Sequence, residues 1–268
     1  MEIWAVANQK GGVGKTTTVV ACAGLLAEAG KRVLVVDLDP QGSLTAYFRL
    51  DAARLRKGTY ELFRAPSLPG RAELLSICHS VSSGEITLFP SVPALATVER
   101  RFRSDEGVGL RLARALASVE QDFDHVIIDT PPVLGVLMIN ALAAAGMLLL
   151  PVQTDYLAIK GLERMAQTLQ MVVRARGREL RYSVIPTMYE QGSESSAQGL
   201  RTLMRSFADQ VGGTVVPLDA SFRDASARGL TPSRFAPQSK GVRAYRALLR
   251  GMGVLDPAEA RRPFPAAG

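Results

Sequence analysis

Short, continuously apolar runs alternate along the chain with longer stretches whose apolar residues recur at helical spacing. Such runs fit strands that are buried on both faces of a parallel sheet, and their alternation with helices is typical of α/β proteins. We therefore predict a single-domain α/β fold with a mostly parallel, twisted β-sheet and helices on both faces. The predicted strands cover residues 3–7, 33–36, 86–90, 124–129, 147–152, 182–187 and 214–217.

Helices are predicted between these strands wherever the apolar period is helical. They cover residues 18–29, 91–103, 109–120, 137–145, 156–174, 200–210 and 241–251. The stretch 49–85 has mixed polarity and frequent Pro and Gly, which predicts a surface insertion with short helices at 50–63 and 72–80. We expect one domain over residues 1–252 and a disordered tail, rich in Pro and Ala, over residues 253–268.

A phosphate-binding loop joins the first strand to the first helix. Its sequence is Asn8-Gln9-Lys10-Gly11-Gly12-Val13-Gly14-Lys15-Thr16-Thr17. The glycines allow a tight turn that brings backbone N–H groups to phosphate oxygens, and the helix that follows adds its positive end. Lys15 can reach the β- and γ-phosphates, and the Thr16 hydroxyl can bind Mg²⁺. The stretch from Lys10 to Thr17 is therefore the predicted nucleotide site of a P-loop fold, with ATP and Mg²⁺ as its ligands.

Carboxylates follow two of the buried strands. Asp37 and Asp39 come after strand 33–36, and Asp129 ends strand 124–129. The carboxyl ends of parallel strands meet beside the phosphate loop, which is where α/β sheets bind their ligands. Asp129 is the acid of a Walker B motif, and we expect it to hold Mg²⁺ through a water, opposite Thr16. Capping of the strand is the competing interpretation for Asp37 and Asp39.

The phosphate loop departs from the common G-x-x-x-x-G-K-[ST] pattern, because Gln9 stands where the first Gly belongs. With its early Lys10, the loop resembles the deviant Walker A box of the ParA/MinD family of ATPases. The resemblance implies an ATP-dependent homodimer in which Lys10 crosses the interface to the phosphates of the second ATP. It also implies that Asp39 positions the attacking water and that Asp37 supports the Mg²⁺ shell. A solvated loop lysine is the alternative for Lys10.

The active site that this resemblance implies has three kinds of residue. Its catalytic residues are Lys10, Lys15 and Asp39, and its metal-binding residues are Thr16, Asp37 and Asp129. Relatives read the adenine ring with loops after the last two strands, so residues 187–190 and 217–219, with Pro217 foremost, join the nucleotide site. No pattern in the residues themselves supports the adenine contacts independently.

Four segments look most like the ParC-type ATPases of chemotaxis gene clusters, which position receptor arrays at the cell pole. These segments are residues 4–9, 43–48, 158–165 and 223–226. The likeness implies a slow ATPase that is stimulated by an adaptor protein and positions chemotaxis arrays. The alternative is a nucleoid-binding ATPase of the ParA/Soj type that segregates a chromosome or plasmid. A membrane-cycling ATPase like MinD ranks below both.

Other classes lack their signatures in this chain. An iron–sulfur reductase would need cysteines after Asp129, whereas Cys22 and Cys78 both precede it. A bacterial tyrosine kinase would carry a C-terminal tyrosine cluster. A protein like MinD would end in a free, basic amphipathic helix. Helix 241–251 instead has a stripe that predicts packing on the core, formed by Val242, Tyr245, Leu248 and Leu249.

Positive charge is concentrated near the C-terminus. Residues 201–268 hold eleven of the 32 Lys and Arg residues but five of the 25 Asp and Glu residues, so most of the net charge of +7 lies there. A basic surface favours a polyanionic partner, and we predict non-specific DNA binding by the dimer. A solvated arginine-rich face is the alternative. The candidates for DNA contact are Arg223, Arg228, Arg234, Lys240 and Arg243.

The chain shows neither a membrane-spanning run nor a signal peptide. No apolar run reaches the length that a transmembrane helix needs, and the first residues enter a strand at once. We therefore expect a cytoplasmic protein, at the pole or on the nucleoid, without membrane insertion.

Overall fold

The computed structural model describes residues 1–64, 67–102, 107–176 and 180–255. Of the predicted tail, residues 256–268 lie outside the described residues. The strands are β1 (Glu2–Val6), β2 (Val33–Asp37), β3 (His79–Val81), β4 (Ile86–Phe89), β5 (His125–Asp129), β6 (Met147–Gln153) and β7 (Arg181–Thr187). Among the helices that the structure describes, none is long and apolar enough to cross a membrane.

Helices connect most of these strands. The α-helices are α1 (Lys15–Glu28), α2 (Ser43–Tyr47), α3 (Glu61–Arg64), α4 (Arg71–Ile77), α5 (Val98–Arg101), α6 (Arg111–Ala117), α7 (Val136–Ala144), α8 (Tyr156–Arg176), α9 (Glu194–Ser206), α10 (Ser221–Arg228), α11 (Pro232–Phe235) and α12 (Lys240–Gly251). Short 3₁₀ turns at Ser82–Gly84, Pro93–Thr97 and Val108–Leu110 complete the described elements.

The strands of the described residues form one seven-stranded sheet in the order β3-β4-β2-β5-β1-β6-β7. Every pairing is parallel except that of the edge strand β3 with β4. In the register of the central strands, Asp129 lies opposite Val6 on one side and Asp37 on the other. The two acids and the loop that leaves β1 after Val6 therefore meet at the same edge of the sheet.

Helices cover both faces of the sheet, as predicted. One face packs α1 and α12 against the sheet through buried residues such as Trp4, Leu26 and Leu249. The other face packs α6, α7 and α8 against the sheet around residues such as Leu148 and Leu142. The apolar stripe of α12 is buried throughout, which confirms that this helix packs on the core.

The stretch 49–85 is more integrated than a surface insertion. Its predicted helices at 50–63 and 72–80 shrink to α3 and α4, and β3 follows at once. Side chains from α3 and α4 are fully buried in the core, including Leu62 and Leu74. The surface-insertion prediction was therefore wrong, because this short, irregular stretch supplies one wall of the core without a clear helical or strand period.

Other boundaries also moved. The predicted strand 214–217 is not a strand; within the described residues, the stretch makes one isolated bridge, between Tyr189 and Pro217. The predicted helix 91–103 is a 3₁₀ turn followed by the one-turn helix α5, and α9 begins six residues before its predicted start at Leu200. Helices α10 and α11 were not predicted at all.

Candidate nucleotide site

The phosphate loop is held in place by the ends of the neighbouring strands. Asn8 is buried; its side-chain amide donates to the Pro151 carbonyl on β6 (2.9 Å), and its Oδ1 accepts from the Lys10 N–H (2.9 Å). On the β7 side, the Thr187 hydroxyl donates to the Val13 carbonyl (2.9 Å). These bonds fix the backbone on both sides of the glycines, so the loop is preorganised for an anion at the start of α1.

Thr16 and Asp129 meet as predicted at the start of α1. The Thr16 hydroxyl donates to Asp129 Oδ2 over 2.6 Å, while the buried Asp129 Oδ1 has no hydrogen-bond partner among the described residues. Burial and the nearby charge of Asp37 raise the pKa of Asp129 to about 8. A hydroxyl and a carboxylate with an unpartnered oxygen are hard oxygen ligands of the kind that Mg²⁺ prefers.

The donor set therefore fits Mg²⁺, with Thr16 and Asp129 as the protein groups that would hold it. The described residues contain no group of three His, Cys, Asp or Glu side chains around one metal position. Mg²⁺ commonly takes one or two protein ligands and completes its shell with substrate phosphates and water. When bound, the ion neutralises charge on the β- and γ-phosphates.

Asp37 is buried and already hydrogen-bonded. Its Oδ2 accepts from both the backbone N–H (2.8 Å) and the hydroxyl (2.7 Å) of Thr45, and its Oδ1 accepts from the Asp39 N–H (3.1 Å). Burial raises the pKa of Asp37 to about 7, against the effect of these hydrogen bonds. The contacts suit a residue that orients the start of α2. Its support of the Mg²⁺ shell stays a prediction.

Asp39 lies in the loop between β2 and α2 and is half-buried. Its Oδ1 accepts from the Gln41 N–H (2.9 Å), and its carbonyl accepts from the Ser91 hydroxyl (2.9 Å). The Ser91 N–H in turn donates to the Thr45 hydroxyl oxygen (2.9 Å). Ser91 thus fastens both ends of this segment to the chain just after β4, and its role was not predicted from the sequence.

Lys15 lies buried at the centre of the site. Its Nζ donates to the Lys10 carbonyl (3.4 Å), which draws the side chain back over its own loop. Burial lowers the pKa of Lys15, while the charges of Asp129 and Asp39 oppose that change. Lys15 therefore lies as a buried cation among carboxylates, and its contact with the β- and γ-phosphates stays a prediction.

Lys10 is bound within its own chain. Its Nζ forms an ion pair with Asp155 Oδ2 over 2.8 Å, and both side chains remain partly exposed. Asp155 follows β6, and its pKa is lowered, against its partial burial, by the hydrogen bond from Lys10. The sequence placed Asp155 at the end of a strand but gave no sign of this contact across 145 positions. The role of Lys10 across a dimer interface stays a prediction.

A cavity of about 320 Å³ opens beside the phosphate loop. Its walls include Thr16, Tyr47, Met188, Pro217 and Phe222, so it reaches from the metal-binding end of α1 to the loops after β7. The lining is mostly apolar, which suits a nucleoside base and ribose. Pro217 therefore lies where the adenine prediction requires, although its contact with adenine stays a prediction.

Asp219 also lines the cavity and has a structural task, while its contact with adenine stays a prediction. Its Oδ1 accepts from the Ser221 N–H (3.0 Å) and hydroxyl (2.7 Å), and its Oδ2 accepts from the Gly241 N–H (2.8 Å). Both carboxylate oxygens are thus engaged in joining the start of α10 to the start of α12. This junction closes the cavity at the side of Phe222.

The five predicted DNA contacts divide into two groups. Arg223, Arg228, Lys240 and Arg243 are exposed on α10 and α12. Arg234 is instead half-buried and pairs with Glu85 over 2.7 Å. Its guanidinium ties α11 to the turn before β4 and remains partly exposed, and its contact with DNA stays a prediction.

A parallel sheet with a phosphate loop after a central strand, and with acids at the ends of the strands beside it, defines a P-loop nucleotide hydrolase. A family model described as an AAA domain matches residues 1–182. The chain is 39% identical over 248 residues to the chromosome-partitioning ATPase Soj of Thermus thermophilus, covering 91% of this chain and 92% of the relative. It is 34% identical over 245 residues to the sporulation initiation inhibitor protein Soj of Bacillus subtilis, covering 91% and 95%.

Solved structures agree with these sequence matches. A Mycobacterium smegmatis protein described as cobyrinic acid a,c-diamide synthase, with bound ADP and magnesium, is 34% identical and superposes with a TM-score of 0.77 over 94% of this chain and 95% of its own. Apo McdA of Cyanothece superposes with a TM-score of 0.80 over 93% and 99%, and at 21% identity it supports the fold alone.

The chain belongs to the ParA/MinD family of deviant Walker A ATPases. The predictions of an ATP hydrolase and of ATP with Mg²⁺ as its ligands are confirmed at this level. The finer likeness to the ATPases of chemotaxis gene clusters has no counterpart among these relatives.

Proposed function

We propose that this chain is an ATP-switched ATPase that partitions DNA, as a dimer that binds duplex DNA non-specifically. The observation that carries the proposal is the match to the Soj proteins over more than nine tenths of each chain. The phosphate loop and the acids Asp37, Asp39 and Asp129 are all present. This reverses the order of the sequence-based predictions. Positioning of chemotaxis arrays ranked first there, and the relatives favour the alternative.

The geometry supports a switch in which ATP controls dimerisation. Lys10 is held by Asp155 in the monomer, so it can reach a second subunit's phosphates only after this ion pair opens. A triphosphate is a stronger partner for an ammonium group than one partly exposed carboxylate is, because it carries more charge. We infer that ATP in the facing subunit draws Lys10 away from Asp155.

The chain alone would hydrolyse ATP slowly. Asp39 is the carboxylate proposed to position the attacking water, and Lys15 stabilises charge on the transferred phosphate. A hydrolysis-stimulating adaptor protein would complete or rearrange this constellation. DNA binding would rest on the exposed cations of α10 and α12, doubled when two subunits associate. The protein would then be associated with the nucleoid.

The test is filter retention of duplex DNA, combined with size exclusion, using ATP and Mg²⁺ at low salt. Wild type should form dimers and retain DNA, and Asp39→Ala should do both for longer because its ATP is not consumed. Lys15→Ala should lose ATP binding and both later steps. Lys10→Ala should keep ATP binding but remain monomeric and lose DNA.

The outcomes separate the parts of the proposal. Equal dimerisation of wild type and Lys10→Ala would remove Lys10 from the interface. Failure of the wild-type dimer to retain DNA at low salt would overturn the assignment to DNA and favour a protein track, as array positioning requires.

A further inference from the structure

Arg49 occupies a backbone position that usually belongs to glycine. It follows the end of α2 with φ = 65°, and its N–H donates to the Ala46 carbonyl (2.9 Å). The next N–H, that of Leu50, donates to the Thr45 carbonyl (3.3 Å). This is the helix-ending pattern in which a left-handed residue is favoured, and glycine adopts that conformation more readily than any residue with a side chain. Ending the helix therefore does not account for an arginine.

The stem of Arg49 packs on a second left-handed residue, Gly229, at the end of α10. A Cβ on Gly229 (φ = 68°) would lie 2.6 Å from Arg49 Cγ, so only glycine leaves room for this stem. Beside it, the Tyr47 hydroxyl donates to the Leu230 carbonyl over 3.0 Å. The end of α2 is thereby fastened to the end of α10, the helix that carries Arg223 and Arg228.

Arg49 and those two arginines are all exposed, and no carboxylate of the described residues forms an ion pair with any of them. Arg228 immediately precedes Gly229, and its guanidinium lies 4.8 Å from the centre of the Phe235 ring. By contrast, Arg234 and Arg246 nearby are both paired with glutamates. Arg234 and Arg246 are thus held in ion pairs with carboxylates, whereas Arg49, Arg223 and Arg228 are not.

We propose that Arg49 is a phosphate-contacting residue of the DNA-binding surface, which extends from α10 onto the segment that follows Asp39. This inference rests on the proposed function. Duplex DNA carries one negative charge per about 1.7 Å of helix axis, so adjacent exposed guanidinium groups match its backbone. This contact would account for an arginine at a position with an unfavourable backbone conformation, because strained residues are retained at functional sites.

The informative variant is Arg49→Gly, because it separates stability from binding. It relieves the left-handed backbone, so the folded state should be at least as stable as wild type, and ATP-dependent dimerisation should be unchanged. DNA affinity should fall, and the slope of log K against log salt should become shallower by about 1 for each subunit that contacts the duplex. Arg49→Lys should restore most of the slope, because it keeps the charge.

A matched control removes the same charge from the opposite edge of the sheet. Arg71 pairs with Asp122, just before the amino end of β5, so Arg71→Gln should leave the slope unchanged. Arg228→Ala should make it shallower, because Arg228 is exposed on α10 and does not line the cavity. A wild-type slope in Arg49→Gly beside a shallower slope in Arg228→Ala would overturn this inference and leave the proposed function intact. If wild type retained no DNA, or if it bound only vesicles of anionic lipid, both this inference and the proposed function would be overturned.

Discussion

A single carboxylate shows how closely individual residues control the loop after Asp129. Glu99 accepts hydrogen bonds from the N–H groups of Val136 (2.8 Å) and Leu137 (3.1 Å), the first residues of α7. A Cβ on Gly135 would lie 2.1 Å from Glu99 Oε2, so this position admits no side chain while Glu99 is in place. The loop from Asp129 to α7 is therefore anchored at its far end by a residue from another helix.

Replacing either partner should destabilise the fold. Glu99→Ala leaves two N–H groups at the start of α7 without their acceptor and should lower the free energy of unfolding by about 0.5–2 kcal/mol. Gly135→Ala forces the carboxylate aside, which breaks the same two hydrogen bonds, and should lower it by a similar amount. Urea unfolding would measure both. Gly70→Ala is the matched control, because Gly70 also precedes a helix but has open space around it; an equal loss there would contradict the argument.

The ion pair of Arg32 with Asp124 predicts a pH dependence. Arg32 binds Asp124 through its backbone N–H (2.8 Å) and its guanidinium (2.8 Å), joining the starts of β2 and β5. The hydrogen bonds from Arg32 lower the pKa of Asp124 to about 2, below its unfolded value of about 3.9. The folded state therefore binds protons less readily, and the stabilisation present above about pH 4 is lost as the pH falls towards 2.

Asp124→Asn tests this directly. The difference in unfolding free energy between wild type and the variant should be largest near pH 6 and should shrink towards pH 3, as urea titrations at each pH would show. A difference that stays constant with pH would mean that Asp124 contributes through packing and not through its charge.

Helix α12 is an element whose packing on the core the sequence predicted correctly. Its apolar stripe was legible because four residues recur at helical spacing and all of them are buried. The sequence could not indicate which group the Tyr245 hydroxyl contacts. Tyr245 lies 2.7 Å from the Thr18 hydroxyl across 227 positions, and Thr18 also donates to the Gly14 carbonyl (2.8 Å). The last helix thereby reaches the phosphate loop.

Two substitutions in α12 should differ in size. Leu248→Ala opens a cavity in the core and should cost about 2–5 kcal/mol. Tyr245→Phe removes one buried hydrogen bond and should cost about 0.5–1.5 kcal/mol, which corresponds to a few degrees in melting temperature for a chain of this size. Calorimetry would measure both. Stability that is indifferent to Leu248 would instead match a free, membrane-seeking helix.

The sequence predicted the elements that depend on residues close together in the chain. It did not predict the features that depend on contacts between residues far apart in the chain. Strands β2, β5 and β6 are continuous apolar runs, and the phosphate loop is a local motif, so all were found. Strand β3 has three residues, and its place at the sheet edge depends on pairing with β4. The contacts of Lys10 with Asp155 and of Glu99 with α7 join segments that are far apart in the chain. No local sequence pattern indicates these contacts.

The nucleotide cavity also ties together the chain from end to end. Its lining begins at Gly14 and ends at Tyr245, with residues from α2, β7 and α10 between them. An unfolded chain cannot assemble such a wall, so a nucleotide binds the folded state alone. By mass action, free ligand at 100 times its dissociation constant stabilises that state by about 2.7 kcal/mol.

Resistance to proteolysis should therefore rise with nucleotide concentration. Limited digestion with increasing ATP and Mg²⁺ should slow for wild type and not for Lys15→Ala, which lacks the charge proposed to hold the phosphates. Protection of both proteins alike would show that ATP acts elsewhere. Through the cavity that joins α1, α10 and α12, the supply of nucleotide becomes one of the quantities that determine how long each copy of the chain survives.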